Sequence, residues 1–243
     1  MTTSAKRDLA KRDPAKRDRD SVNLRSRAYE SFTQRLLADE IRPGQFISQR
    51  ELVELTELPL GAIRELIPRL EAEGLVKTVP QRGMQVAHVD LNLIRDAFQF
   101  RLFLEREAVA VFAREAPEAT VRALLHDHER IIAACAEAEA DAGTGGGIQP
   151  ALLQEAQDID WALHLTIIDA LGNAIVSDAY RVNQIKIRLI KQSKTKLNTA
   201  VLVPTMREHL AIIHAIQARD PERAKDAIGT HILSARDRAI GLR

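Results

Sequence analysis

Apolar positions recur at two different spacings along the chain, and each spacing predicts a type of secondary structure. From residue 48 to residue 74, apolar residues fall three or four positions apart in two short groups, and Pro59 separates the groups. Between residues 75 and 86, two β-branched runs flank Pro80-Gln81-Arg82-Gly83, which predicts a hairpin. Helical spacing returns at Asp90 and continues to the C terminus. The pattern therefore predicts two closely joined helices, a β-hairpin and a long helical region.

Residues that start and stop helices support this interpretation. Ser48-Gln49-Arg50-Glu51 has the form of a capping box, so a helix should begin at Ser48. Glu57-Leu58-Pro59 should end that helix and start the next, and Gly74 should end the second one. Two joined helices followed by a hairpin form a winged helix-turn-helix, which binds duplex DNA with its second helix in the major groove.

Three arginines of this segment are candidates for DNA contacts. Arg50 and Arg64 lie on the two helices, and Arg82 lies at the tip of the hairpin. Basic side chains at such positions reach base edges or hold phosphates. For Arg64 the alternative is an ordinary exposed residue, or a partner of Glu65 or Glu71. Residues 28–88 contain seven Lys or Arg and nine Asp or Glu, so any basic surface must be local.

The first 26 residues differ in composition from the rest. The tetrapeptide Ala-Lys-Arg-Asp occurs at Ala5, Ala10 and Ala15, and residues 1–27 hold nine basic and four acidic side chains. Because the segment has few apolar residues, it is predicted to be a disordered basic arm that either adds weak attraction to phosphates or only solvates the terminus. A first helix should follow from Arg27 to Asp39.

Length and composition predict two domains in one cytoplasmic chain. The 243 residues exceed what a winged domain needs, so domains are expected at residues 27–88 and 89–243. Cys135 is the single cysteine, which excludes an intrachain disulfide and fits a reducing cytosol. The sequence shows neither a signal peptide nor an apolar run long enough for a membrane span.

The second domain is predicted to consist of about six helices. Asp90 should cap the first of them, and Gly143 to Gly147 should form a flexible loop. Prolines or an asparagine N-cap mark the remaining helix starts, at Pro117, Pro150, Gly172-Asn173, Pro204 and Pro221. The whole chain is therefore expected to be mainly α.

Four residues of this helical domain have the chemistry of metal ligands. Asp160 and His164 are four residues apart, which places both on one helix face, and His209 and His231 lie on two later helices. If the helices pack around a common point, these side chains form a site of three nitrogens and one oxygen, for which zinc is the leading candidate and nickel, manganese or iron are possible. The alternative for each histidine is an ordinary core or surface imidazole.

The N-terminal segment resembles the GntR family of bacterial transcription regulators. Five segments in and around the helix-turn-helix and the wing carry the resemblance. They are Leu36 to Pro43-Gly44, Arg50-Glu51-Leu52, Ile63-Arg64-Glu65, Arg69 to Leu75, and Pro80-x-Arg82-Gly83. In that family, the residues that match Arg50, Arg64, Arg82 and Gly83 contact DNA. The resemblance implies the same roles here.

One part of the recognition helix departs from the family. The usual Ser/Thr-Arg-Thr is replaced by Pro59-Leu60-Gly61, which removes a guanidinium and two hydroxyls from the reading end. Loss of an arginine that would bind guanine costs roughly 1 to 3 kcal/mol of discrimination, which other contacts or DNA shape must supply. Gly61 either allows close approach of the backbone to DNA or is a neutral surface glycine.

The second domain resembles the FCD effector domain of the FadR branch, and its helix number resembles the VanR subgroup. The resemblance rests on Asp160-x-x-x-His164, Gly172-Asn173, Arg207-Glu208-His209, and the run from Arg219 to His231. Many members hold a divalent metal with one Asp and three His, which implies that role for Asp160, His164, His209 and His231.

The same resemblance implies residues for an effector site. Arg101 matches an arginine that faces the family's effector cavity, where a guanidinium can pair with a carboxylate. The alternative for Arg101 is an internal ion pair with Glu105. Asn173 either lines the cavity or caps a helix.

Together these features predict a transcription regulator that is not an enzyme. The resemblance implies a homodimer that represses from a palindromic operator in double-stranded DNA and responds to a small carboxylate bound beside the metal. One alternative is an architectural DNA-binding protein that keeps the metal for folding alone. A metal-dependent hydrolase is disfavoured because no Glu directly follows a ligand histidine as in H-E-x-x-H.

Overall fold

A computed structural model describes residues 14–142, 149–194 and 199–242. The chain divides into two compact units, one that ends at Val89 and one that begins at Asp90. The boundary predicted between residues 88 and 89 lies one residue before this division. The predicted loop from Gly143 to Gly147 lies outside the described residues, as do residues 1–13 of the predicted arm.

The described part of the N-terminal unit contains three helices and a small antiparallel sheet. In chain order its elements are α1 (Pro14–Leu37), β1 (Phe46–Ile47), α2 (Gln49–Thr56), α3 (Leu60–Ala72), β2 (Val76–Val79) and β3 (Gly83–Val86). The strand order is β1-β3-β2, with Val79 opposite Gly83 at the turn of the hairpin. The sequence did not predict β1, because two residues are too few to show an alternating pattern.

Local hydrogen bonds explain the ends of the helix-turn-helix. Ser48 Oγ accepts a hydrogen bond from the Glu51 amide at 3.1 Å, and Glu51 Oε2 accepts one from the Ser48 amide at 2.7 Å. The predicted capping box is therefore present and starts α2. Glu57 ends this helix with φ of 57°, and Gly74 follows α3 with φ of 68°. Pro68 lies inside α3 without ending it.

The expectation of a disordered arm over residues 1–26 is wrong for residues 14–26. Helix α1 begins at Pro14 rather than near Arg27, and it ends at Leu37. Its later part buries Ala28, Phe32 and Leu36, which are fully enclosed in the core. Extending a packed helix costs less than nucleating a new one, and Ala, Lys and Arg all favour helix, so the helix continues toward the N terminus.

The C-terminal unit is helical, as predicted. Six helices lie in its described part: α4 (Leu91–Glu115), α5 (Glu118–Ala142), α6 (Pro150–Asp169), α7 (Ala174–Lys194), α8 (Thr199–Gln217) and α9 (Pro221–Ala239). Asp90 caps α4 through a 2.8 Å hydrogen bond from the Leu93 amide. Pro150 and Pro221 each occupy a first turn, as expected, but Pro204 lies within α8 and does not begin it.

Helix α4 lies at the centre of this unit and packs against α6, α7, α8 and α9. A separate apolar cluster joins α5, α6 and α8, and it consists of Ile131, Cys135, Ala156, Leu202 and Met206. This packing fixes the relative positions of the helices that carry the four predicted ligands. No described helix has the length and apolar character that crossing a membrane requires.

Candidate metal centre and nucleic-acid interface

The structure brings the four predicted metal ligands together. Asp160 and His164 lie one turn apart on α6, His209 comes from α8, and His231 comes from α9. One ligand atom of each residue lies within 4.8 Å of the ligand atoms of the other three. All four side chains are buried. Three helices thus place one carboxylate and three imidazoles around one point.

The protonation of these groups suits metal binding. Burial lowers the pKa of His209 and of His231 well below the usual value, so both imidazoles are neutral. Burial alone would raise the pKa of Asp160, but the positive charge of Lys191 holds it well below its usual range. Divalent metals bind ionised carboxylates and neutral imidazoles, so the donors already have the required charge.

One oxygen of Asp160 is available for a further partner. Lys191 Nζ donates to Asp160 Oδ2 at 2.7 Å, whereas Asp160 Oδ1 is buried and has no hydrogen-bond partner among the described residues. His209 Nε2 lies 3.4 Å from that oxygen and 3.3 Å from His231 Nε2. A buried carboxylate oxygen is costly without a partner, and a metal ion would satisfy it.

Carboxylates orient two of the histidine ligands. His164 Nδ1 donates to Glu105 Oε2 at 2.7 Å, and His231 Nδ1 donates to Glu208 Oε2 at 2.8 Å. Arg238 in turn holds Glu208 with two contacts of 3.1 and 3.2 Å. In metal sites, such outer contacts fix the ring orientation of a ligand histidine.

The sequence did not assign these outer roles. It considered Glu105 only as a partner of Arg101, and it assigned no role to His128. In the structure, His128 Nε2 lies 3.1 Å from His209 Nδ1, and both rings are fully buried. Glu208 could have been found from its place next to His209, but His128 has no such signal because the two histidines are 81 residues apart.

Arg101 contacts the metal cluster and a buried carboxylate at once. Its Nε donates to Glu105 Oε1 at 2.6 Å, so the ion pair that the sequence left open does form. Tyr180 Oη also donates to Glu105 Oε1, at 2.7 Å. Arg101 Nη2 lies 3.0 Å from His164 Nε2, and Arg101 Nη1 is buried with no hydrogen-bond partner in the described part of the chain.

Arg101 and Glu105 both remain charged, although both side chains are completely buried. Burial alone would lower the pKa of Arg101, but the Glu105 carboxylate raises it above its usual range. Burial would raise the pKa of Glu105, but Arg101 and His164 hold it well below its usual range. The pair is therefore ionised, and the Nη1 amino group of Arg101 has both of its N–H donors left.

Asn173 occupies the helix-capping position that the sequence gave as one of its two roles. Its Oδ1 accepts from the amides of Ile175 at 3.1 Å and Val176 at 3.3 Å, at the start of α7. The side chain is exposed. Its role in an effector cavity stays a prediction.

The three candidate arginines of the N-terminal unit converge on the segment from Phe46 to Arg50. The Arg82 guanidinium lies 4.3 Å from the centre of the Phe46 ring. Arg64 Nε donates to Gln49 Oε1 at 3.4 Å, and not to Glu65 or Glu71. Arg50 belongs to the segment itself and is 89% exposed. One region of this unit thus presents three exposed guanidinium groups.

Two glycines next to these arginines differ in their surroundings. Gly61 lies in the first turn of α3, and a Cβ atom there would meet nothing within 4 Å. Gly83 follows Arg82 with φ of 86°, and a Cβ atom would lie 2.9 Å from the Ile47 carbonyl oxygen. Gly83 is required for the geometry of the wing, whereas Gly61 leaves open space at the exposed start of the recognition helix.

Comparison with known families agrees with both units. The FCD domain profile matches residues 96–234, and the profile of the bacterial regulatory proteins of the gntR family matches residues 24–86. The chain belongs to the GntR family of transcription regulators and carries an FCD domain. Proteins of this class regulate transcription and are not enzymes.

Individual relatives extend this comparison. The chain is 29% identical over 83 residues to the Nta operon transcriptional regulator of Aminobacter aminovorans, a match that covers 34% of this chain and 40% of that protein. It is 25% identical over 205 residues to the transcriptional repressor GlaR of Escherichia coli K12, covering 82% and 88%. Its fold is similar to that of McbR/YncC of Escherichia coli, with a TM-score of 0.66 at 16% identity and coverage of 87% and 94%.

Proposed function

We propose that this regulator is a metal-containing repressor that a small carboxylate releases from DNA. In this proposal Asp160, His164, His209 and His231 hold a divalent metal, and the carboxylate binds beside it. A homodimer binds a palindromic operator in the bacterial cytoplasm. The observation that carries the proposal is the buried cluster of one carboxylate and three histidines within 4.8 Å.

The donor set supports zinc as the first candidate. Three nitrogens and one oxygen also suit nickel, manganese or iron, which accept one or two further ligands. When bound, the metal would supply a positive centre to which an anionic oxygen can bind. The protein residues hold that centre away from water, since all four ligands are buried.

The charge balance around the cluster supports an anionic effector. Three carboxylates face three cationic side chains, in the pairs Glu105 with Arg101, Asp160 with Lys191, and Glu208 with Arg238. The histidines His209 and His231 add no charge. A divalent cation would leave the cluster positive, so an anion would restore the balance. The unpartnered Nη1 of Arg101 provides a second contact for such an anion.

The DNA-binding unit supports a two-fold operator. Each copy offers one recognition helix, α3, with exposed Arg64, and one wing with exposed Arg82. Dimers of such units bind two half-sites related by symmetry. The relative named as a transcriptional repressor supports repression as the direction of control.

A titration with operator DNA tests the proposal. A duplex selected from a random-sequence pool by the metal-loaded protein serves as the operator, and a panel of mono- and dicarboxylates is added. We expect at least one carboxylate to weaken DNA binding by about tenfold or more, a coupling of about 1.4 kcal/mol. The double variant His209→Ala/His231→Ala should bind no metal and lose this response, while the exposed-residue control His126→Ala keeps both.

Two outcomes would contradict the proposal. If every carboxylate that raises the melting temperature of the protein leaves DNA affinity unchanged, the protein is not a sensor and the metal serves folding alone. If the double variant retains one metal per chain, the four assigned ligands are wrong. Elemental analysis and native mass spectrometry measure the bound metal and any ligand carried through purification.

A further inference from the structure

We infer that His128, which lies outside the four proposed ligands, is a positioning residue that fixes the tautomer of His209 and directs its Nε2 to the metal. The inference rests on the proposed metal site and extends it to a residue on another helix. His128 lies on α5, which contributes none of the four ligands. Its side chain is fully buried.

A backbone carbonyl sets the direction of the hydrogen bonds. His128 Nδ1 lies 2.7 Å from the carbonyl oxygen of Leu124. A carbonyl oxygen can only accept, so His128 Nδ1 must carry the proton. A neutral imidazole with a protonated Nδ1 has an acceptor at Nε2.

The same logic fixes the second ring. His128 Nε2 lies 3.1 Å from His209 Nδ1. Two acceptors cannot form a hydrogen bond, so His209 Nδ1 carries a proton and donates it to His128. A neutral His209 with its proton on Nδ1 has its lone pair on Nε2, the atom that a metal would bind. The Leu124 carbonyl thus fixes the tautomer of His128, and His128 in turn fixes the tautomer of His209.

The ligand atom of His209 then faces acceptors only. It lies 3.4 Å from Asp160 Oδ1 and 3.3 Å from His231 Nε2. His231 donates from Nδ1 to Glu208, so its Nε2 also presents a lone pair. Two lone pairs at 3.3 Å do not form a hydrogen bond, whereas a shared cation satisfies both. The tautomer that His128 imposes is the one that a metal ligand needs.

His128 also differs chemically from the two other orienting residues. Glu105 and Glu208 orient His164 and His231 with negative charge, and three cations already balance the three carboxylates of the cluster. A neutral imidazole orients His209 without adding a fourth buried negative charge. The two rings also meet edge to face, with centroids 5.2 Å apart and an interplanar angle of 70°, which restricts rotation of His209.

Two substitutions of His128 separate positioning from packing. His128→Phe keeps a buried ring but removes the acceptor, and His128→Gln places an amide oxygen where it can accept from His209. We expect the zinc dissociation constant, measured by competition with a chromophoric chelator, to rise about 10- to 100-fold for His128→Phe. It should rise less for His128→Gln and stay unchanged for the control His126→Phe, whose site on α5 is exposed.

A second readout uses the wild-type protein. In the zinc-loaded full chain, long-range ¹H–¹⁵N spectra should show His209 with a proton on Nδ1 and zinc on Nε2. A proton on Nε2 of His209 would overturn the inference whether or not any variant folds. A folded His128→Phe variant that binds zinc as tightly as the wild type would also overturn it. A lower stability of that variant after chelator treatment would not rescue the inference, because a loss of stability without a loss of zinc affinity shows only that His128 contributes to packing. Failure of the wild type to bind zinc, nickel, manganese or iron would instead overturn the proposed metal site.

Discussion

At the scale of single residues, the candidate metal centre depends on which protons the side chains hold. Burial keeps His209 and His231 neutral, while nearby cations keep Asp160 ionised. A buried carboxylate or a buried imidazole N–H without a partner would be costly in an apolar interior. The opposite charges, and the hydrogen bonds that the histidines donate from Nδ1, reduce that cost. The site is therefore prepared for a cation by its protonation as well as by its geometry.

The stability of the metal-free protein should fall as the pH drops below about 6.5. In the folded chain the pKa of His209 and of His231 lies well below the usual value of 6.5, so the unfolded chain binds more protons in this range. Their contribution is complete above pH 6.5 and is lost as the pH falls toward the depressed values. The loss should reach about 1.4 kcal/mol per pH unit for each buried imidazole.

Urea unfolding after chelator treatment measures this dependence between pH 7.5 and 5.5. Trp161, the single tryptophan, is buried in the C-terminal unit and reports on it by fluorescence. His209→Asn should reduce the slope by one imidazole's share, and the exposed His126→Asn should not change it. An equal slope in His209→Asn and wild type would show that His209 titrates normally.

At the scale of secondary structure elements, the DNA-binding face depends on how α3 and the wing are joined to α2. Glu71 on α3 accepts a hydrogen bond from the Thr78 amide of β2 at 3.0 Å, which links the recognition helix to the wing. Gln49 on α2 holds Arg64 on α3. These contacts join three elements through exposed polar groups. A change in one element should therefore alter the surface that α3 and the wing present to DNA.

Two glycine substitutions should have opposite effects on stability. Gly83→Ala should destabilise the wing by about 1 to 3 kcal/mol, because φ is positive and the new Cβ would lie 2.9 Å from the Ile47 oxygen. Gly61→Ala should stabilise α3 by roughly 0.5 to 1 kcal/mol, since alanine favours helix and has open space there. Hydrogen exchange of the amides in β2, β3 and α3 measures both effects.

The glycine pair also tests the role of Gly61 in DNA binding. If DNA lies close to this backbone, Gly61→Ala should weaken operator binding even though it stabilises the helix. Unchanged affinity would identify Gly61 as a neutral surface residue. Faster exchange of the α3 amides in Gly61→Ala than in the wild type would contradict the stability prediction.

At the scale of the whole molecule, the chain joins a DNA-binding unit to a unit with a candidate ligand site. If effector binding weakens operator binding, operator binding must weaken effector binding by the same factor, because the two equilibria are linked. The overall formal charge is only +1, so DNA recognition depends on local groups and not on the net field of the protein.

Arg64 and the basic N-terminal repeats should therefore contribute to DNA binding in different ways. Arg64→Ala should reduce the preference for operator over random DNA by about 1 to 3 kcal/mol, with little change in salt dependence. Deletion of residues 2–13 should weaken specific and nonspecific binding together and flatten the salt dependence. Fluorescence anisotropy at several salt concentrations measures both, with Arg122→Ala in the C-terminal unit as the control.

Two other outcomes would contradict these assignments. If the operator preference survives in Arg64→Ala, DNA shape and the wing carry the specificity. If the truncated chain keeps the salt dependence of the full chain, the first two repeats do not contact phosphates.

The sequence by itself determined the features that depend on neighbouring residues. The capping box at Ser48, the cap at Asp90, the left-handed Gly74 and the hairpin around Arg82 all involve groups a few residues apart, so their spacing is visible in the chain. The pair Asp160 and His164 was also visible, because a four-residue spacing places both side chains on one face of a helix.

Tertiary structure alone decided how these parts meet. The pairing of β1 with β3 left no local signal, and the early start of α1 depended on the packing of the later part of that helix. His128 contacts His209 across 81 residues, and Glu105 contacts His164 across 59. These contacts depend on helix packing, which a pattern along one segment does not encode. The sequence therefore supplied the candidate ligands, and the packing of six helices supplied their protonation, their orientation and their shared centre.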